Sequence, residues 1–150
     1  MAMISLKTIV TIAAGTMLAL LAGTGPARAQ PNPVLYLTAV EHYTTSGGNF
    51  VRYRYDVFNK DQYPAAMFSP APALPPCGTN TNSSRTWVDF FNARTNQRLY
   101  GFCALTNPQQ LGSIWFAMPE GQVPPSYVYI ELIDRQTGQR FRSNNADTSI

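Results

Sequence analysis

The chain is poor in charge, in lysine and in histidine. Asp, Glu, Lys and Arg make up 13% of its 150 residues, and there is one histidine, His42. A long exposed helix or coiled coil needs Ala, Glu, Lys and Leu in bulk, so this composition excludes one. Two cysteines, Cys77 and Cys103, with a single histidine cannot complete the four ligands of a structural zinc site. Their separation of 26 positions also lacks the close spacing of redox catalysis. No G-x-S-x-G, H-E-x-x-H, phosphate loop or dinucleotide fingerprint occurs, and no Arg-Gly-Asp. His42 is the only side chain that ordinarily titrates near neutrality, and it falls at the end of an expected strand, where a surface role is the commoner one. Carboxylates are present at Asp56, Asp61, Asp89, Glu131 and Asp134, but no spacing selects a pair for glycoside hydrolysis. The turn at Asp134 lacks the repeated oxygen ligands of a calcium loop. The expectation is a chain with no catalytic residue, metal or cofactor.

What is present begins with a leader. Lys7 precedes an uninterrupted apolar and small-residue stretch over 9–22, and Ala27-Arg28-Ala29 places small residues at −3 and −1 of a cleavage site. This is the anatomy of a secretory signal peptide over 1–29, with Gln30 as the mature N-terminus. Fourteen apolar residues would span about 21 Å as a helix, too short for a bilayer core. Thr24 stands where a lipoprotein signal would need cysteine, and no twin-arginine pair occurs, so neither a lipid anchor nor export of a prefolded chain is expected. The product would be extracytoplasmic, periplasmic or secreted, with no membrane anchor after cleavage. Without Lys7 and Arg28, nine basic residues face eight acidic ones, and the stated net charge of +3 falls to about +1. The basic residues are scattered among acids, so no nucleic-acid partner is expected.

The whole sequence is 12% aromatic, with every aromatic residue beyond the leader, and it carries twelve prolines and ten glycines. Large apolar side chains in this proportion offset ordering entropy and exclude disorder. In an oxidising compartment Cys77 and Cys103 are expected to pair as a disulfide. Seven strands are expected, over 34–43, 50–58, 86–91, 98–104, 111–118, 127–133 and 139–143. The second is the clearest: Val51, Tyr53, Tyr55 and Val57 alternate with Arg52, Arg54 and Asp56, the latter reading as a solvated face. Between 59 and 85 five prolines forbid a continuous helix or central strand, so a long Pro-rich loop is expected there. Pro72-Ala73-Leu74-Pro75 fits P-x-x-P but is read as plain loop. Residues 144–150 are expected to form a flexible tail after a single domain over 30–143.

Seven strands with turns about every ten residues point to an all-β, two-sheet sandwich with Greek-key connections. Pro119 through Gly121, Pro124-Pro125-Ser126, Tyr127-Val128-Tyr129-Ile130, Gly138 and Arg142-Ser143 together resemble the last three strands of a fibronectin type III domain. The resemblance covers 119–143. It implies a fibronectin- or immunoglobulin-like scaffold of the kind that mediates binding and spacing, with Tyr127 matching the corner tyrosine whose hydroxyl satisfies nearby backbone. It supplies no ligand. The long Pro-rich loop and the Cys77–Cys103 pair depart from that family's pattern. The expected function is therefore a non-catalytic interaction or structural domain with a protein or carbohydrate partner. Trp87, Trp115, Tyr127 and Tyr129 are the candidate binding residues. Both tryptophans are expected to be core, whereas a carbohydrate-binding module would show coplanar rings on an exposed face. A small secreted hydrolase, the third possibility, would show two carboxylates converging in a cleft.

Overall fold

The computed structural model describes residues 29–77 and 83–150; the expected leader up to residue 28, and 78–82 of the Pro-rich loop, lie outside the described residues. Among these residues two antiparallel sheets face each other. In the first, β1 (Leu35–Thr45) and β2 (Gly48–Val57) form a hairpin, and β5 (Ile114–Pro119) pairs with the other edge of β2. Gly48 closes the hairpin turn at φ 120°, a conformation that side chains with a Cβ rarely adopt. The second sheet has the order β4 (Arg98–Phe102), β3 (Thr86–Asn92), β6 (Tyr127–Asp134), β7 (Arg140–Arg142). A short β8 (Ala146–Asp147) also pairs with β6, beyond β7.

The core follows from the period of two. Tyr53, Tyr55 and Val57 of β2 and Ile114 and Phe116 of β5 meet Val88 and Phe90 of β3 and Val128, Ile130 and Leu132 of β6, all buried. At the centre Tyr55 and Phe116 of one sheet and Phe90 of the other pack within 5.4–6.0 Å, ring to ring. Burial pushes the Tyr55 phenol far above its ordinary pKa, and its hydroxyl donates to the Asp147 carbonyl at 3.0 Å. That bond avoids an orphaned polar group in the middle of the core.

The Pro-rich connection is built from short 3₁₀ turns, Lys60–Gln62 and Ala65–Phe68, with Tyr63, Met67 and Phe68 buried in the same core. Cys77 and Cys103 are bonded, with Cα atoms 5.9 Å apart, as expected from the cysteine pair. Next to that bond, buried Ser84 donates its N–H to the Cys103 carbonyl and its hydroxyl to the Thr86 carbonyl.

Two boundaries differ from the sequence reading. Leu111 does not start a strand: it lies in a 3₁₀ turn, Pro108–Ser113, and its side chain is fully buried. Asn107 accepts a hydrogen bond from the Gln110 N–H at the start of that turn, a capping geometry that competes with strand. The segment 144–150, expected as a flexible tail, is docked through Thr148. Asn144 binds both backbone groups of Leu35 through its side-chain amide (2.8 and 2.9 Å), β8 pairs with β6, and the Thr148 hydroxyl donates to the Pro125 carbonyl at 2.6 Å.

Candidate functional site

The outer faces of both sheets are laid with arginines stacked on aromatic rings. Trp115 stands between Ile114 and Phe116, both buried, so the alternation of β5 points its indole outward, and the expectation that it belongs to the inter-sheet core is corrected. Trp87 is corrected for the same reason: Thr86 and Val88 on either side of it point inward. Both indoles are half-buried. Asp89, two residues after Trp87, was the sequence signal that this face of β3 is the outer one.

On the first sheet, the Arg52 guanidinium lies 4.6 Å from the Tyr43 ring and 4.8 Å from the Trp115 ring. Arg52 is thus stacked between rings as well as facing outward. It and Arg54 share Glu41, at 3.8 and 3.3 Å. Tyr100, from the edge strand of the second sheet, stacks on Trp115 at 4.8 Å, and Phe102 meets it edge-on at 5.9 Å. On the second sheet Arg135 covers Trp87 and Arg142 covers Tyr129, each at 3.8 Å. Tyr129 also stacks on Phe91 at 5.1 Å and donates its hydroxyl to Asn96 at 3.0 Å. Arginine suits these positions because its planar group stacks and donates hydrogen bonds together. Rings with a neighbour on the face in this way do not form the coplanar pair that would receive a sugar.

The carboxylates are held singly. Asp56 accepts from Lys60 (2.8 Å) and from the Tyr36 hydroxyl, Asp61 from Gln109, Asp89 from Arg98 (2.9 Å) and Glu131 from Arg140 (2.7 Å). Arg98 crosses directly over Gly101, where a Cβ would collide with both its guanidinium and the Asp89 carboxylate. Asp134 is buried and receives a two-pronged bond from Arg85, at 2.9 and 2.6 Å. The Arg85 bonds, aided by the Gln136 N–H, hold the Asp134 carboxyl below its ordinary pKa. His42 meets Glu120 at 3.0 Å on the exposed surface. Asp89 and Glu131 lie opposite each other on β3 and β6, but on a sheet face with a separate arginine on each. Among the described residues no three His, Cys, Asp or Glu side chains group as metal ligands.

Tyr127 differs from the other three candidates. It opens β6 half-exposed, at 50%, and its hydroxyl has no hydrogen-bond partner among the described residues. The corner-tyrosine bond implied by the resemblance is therefore not made by Tyr127; the hydroxyl bonded on this strand is that of Tyr129, and to a side chain. Tyr127 lines a shallow groove of about 510 Å³ with Arg94, Val123, Pro124, Pro125 and Asn145. Val123 is 89% exposed, held out by the turn at Gly121, whose φ is 89°. Arg94 comes from the β3–β4 turn, and the Ala93 N–H donates to the Tyr127 carbonyl. Arg94, Val123 and Asn145 were missed by sequence reasoning, although the Gly121 and Pro124-Pro125 pattern marks the corner that gathers them. Of the four named candidates, Tyr127 and Tyr129 share the outer face of β6, but Tyr129 is buried under Arg142 and against Phe91 while Tyr127 stays half-exposed.

Comparison with known proteins finds no family model, no curated protein and no solved structure that matches this chain.

Proposed function

We propose that the chain is an exported, fibronectin type III- or immunoglobulin-like domain that acts by binding or spacing, and that the Tyr127 corner is its contact surface. The scaffold reading is supported by strand order. An immunoglobulin constant-type sandwich places its first, second and fifth strands in one sheet and its third, sixth and seventh in the other. Here β1, β2 and β5 form one sheet, β3, β6 and β7 belong to the other, and β4 has joined the edge of β3. The consecutive pairs that must cross between sheets give the connections a Greek-key character.

One observation carries the choice of surface. The other large aromatic clusters have arginines or second rings on their faces, whereas the Val123–Tyr127 corner keeps apolar area and a free hydroxyl beside Arg94. Aromatic, apolar and arginine groups together are the composition of protein-contact hot spots. Expression with its own leader should yield the chain in the extracytoplasmic fraction. Crosslinking there should capture a protein that Val123→Asp and Tyr127→Ala each release, with the unfolding midpoint unchanged. Retention in the cytoplasm would defeat the export reading. A partner held equally by both variants would defeat the surface. Polysaccharide that quenches the tryptophan emission would point instead to a carbohydrate-binding module.

A further inference from the structure

The sandwich begins to hold its own backbone at Pro31. The Tyr63 hydroxyl donates to the Pro31 carbonyl at 2.7 Å, and Asn59 donates to the Asn32 carbonyl while accepting from the Val34 N–H, both at 2.9 Å. The first anchored carbonyl therefore lies two residues beyond Ala27-Arg28-Ala29. Only Gln30 stands between the small-residue motif and the folded domain. Its carboxamide has no hydrogen-bond partner among the described residues, and it borders a shallow groove with Asp61, Gln62, Tyr63 and Pro64. Asp61 already accepts from Gln109 at 2.6 Å, so its carboxylate has a partner other than a terminal ammonium.

We propose that Gln30 becomes a pyroglutamate. This rests on the reading that the leader is cut after Ala29, which exposes the Gln30 α-amine. The amine nitrogen attacks the Cδ carbon of the same side chain, and a new N–Cδ amide bond closes a five-membered lactam. The Cδ–Nε2 bond breaks, and Nε2 leaves as ammonia with the proton given up by the amine. Nothing is oxidised or reduced, and no co-reactant enters. The fold leaves the carboxamide unengaged while it fixes the chain from Pro31 onward. The lactam removes the positive charge of the terminus, a change that alters the electrostatics of the groove beside Asp61.

The test uses the full chain exported through its own leader, with intact mass and N-terminal sequencing read before and after several days warm at neutral pH. The expected product starts at residue 30, is lighter by one ammonia and is blocked to stepwise sequencing. A Gln30→Ala chain should start at the same position, lose no mass on incubation and sequence freely. A wild-type chain that starts at Gln30 and keeps a free amine throughout overturns the lactam but leaves the cleavage reading intact. A chain that starts elsewhere overturns both.

Discussion

At the scale of single residues, arginine is the recurring partner of both rings and carboxylates. Arg52, Arg135 and Arg142 lie against rings, and Arg85 satisfies a buried carboxylate. The Arg85–Asp134 pair has a consequence for acid stability. Asp134 titrates below its ordinary 3.8 in the folded chain because Arg85 binds the charged form. A depressed folded pKa contributes stability that is present above the unfolded pKa and lost as pH falls through the folded one. The unfolding midpoint should therefore drop as pH is lowered below about 4. Arg85→Gln should cost about 2 kcal/mol near neutrality by stripping a buried carboxylate of its strongest partner. The difference between variant and wild type should shrink in acid, measured by urea titrations across that range. A difference that stays constant down to pH 2 would remove Asp134 from the explanation.

At the scale of elements, the strands were legible and their neighbours were not. The alternation of Tyr53, Tyr55 and Val57 with Arg52, Arg54 and Asp56 marked β2 and its buried face, because a sheet with one wet side writes itself into the sequence with a period of two. The same rule, applied to Ile114, Trp115 and Phe116, places Trp115 outside; residue size argued the other way and misled. The tail was missed because its attachment uses side-chain amides and hydroxyls rather than an apolar pattern. Asn144 presents a donor and an acceptor to Leu35 much as a neighbouring strand would, on the free edge of β1. Asn144→Ala should loosen that edge locally. Amide hydrogen exchange at Leu35 should speed up by about tenfold, equivalent to about 1.4 kcal/mol, while the Val88 and Ile130 amides in the centre of the other sheet change little. Uniform acceleration everywhere would mean that the clasp belongs to the global fold instead.

At the scale of the molecule, the disulfide holds the Pro-rich connection against the end of β4. Pro75, two residues before Cys77, accepts from the Arg135 guanidinium that covers Trp87, so the crosslink, the loop and the indole form one assembly. Cys103→Ser should lower stability by about 3.5 kcal/mol, from the loop closed by residues 26 apart. It should also move tryptophan emission to longer wavelength under conditions where the far-ultraviolet signal still reports an intact sheet. An unchanged midpoint would show that the loop is held by packing of Met67 and Phe68 alone. The candidate surface was the part least visible beforehand. Arg94 comes from the β3–β4 turn, Val123 and Tyr127 from the corner that opens β6, and Asn145 from the approach to β8, and only the pairing of β3, β6 and β8 brings them to one end.

The hydroxyl of Tyr55 has a consequence in time. Its acceptor belongs to Asp147, 92 residues further along the chain. A nascent polypeptide can pair β1 with β2 early, yet the phenol at the centre of the sandwich lacks this acceptor until β8 arrives. Completion of the core is thereby postponed until the C-terminal residues are available, and a chain that lacks them leaves the buried Tyr55 phenol without this acceptor.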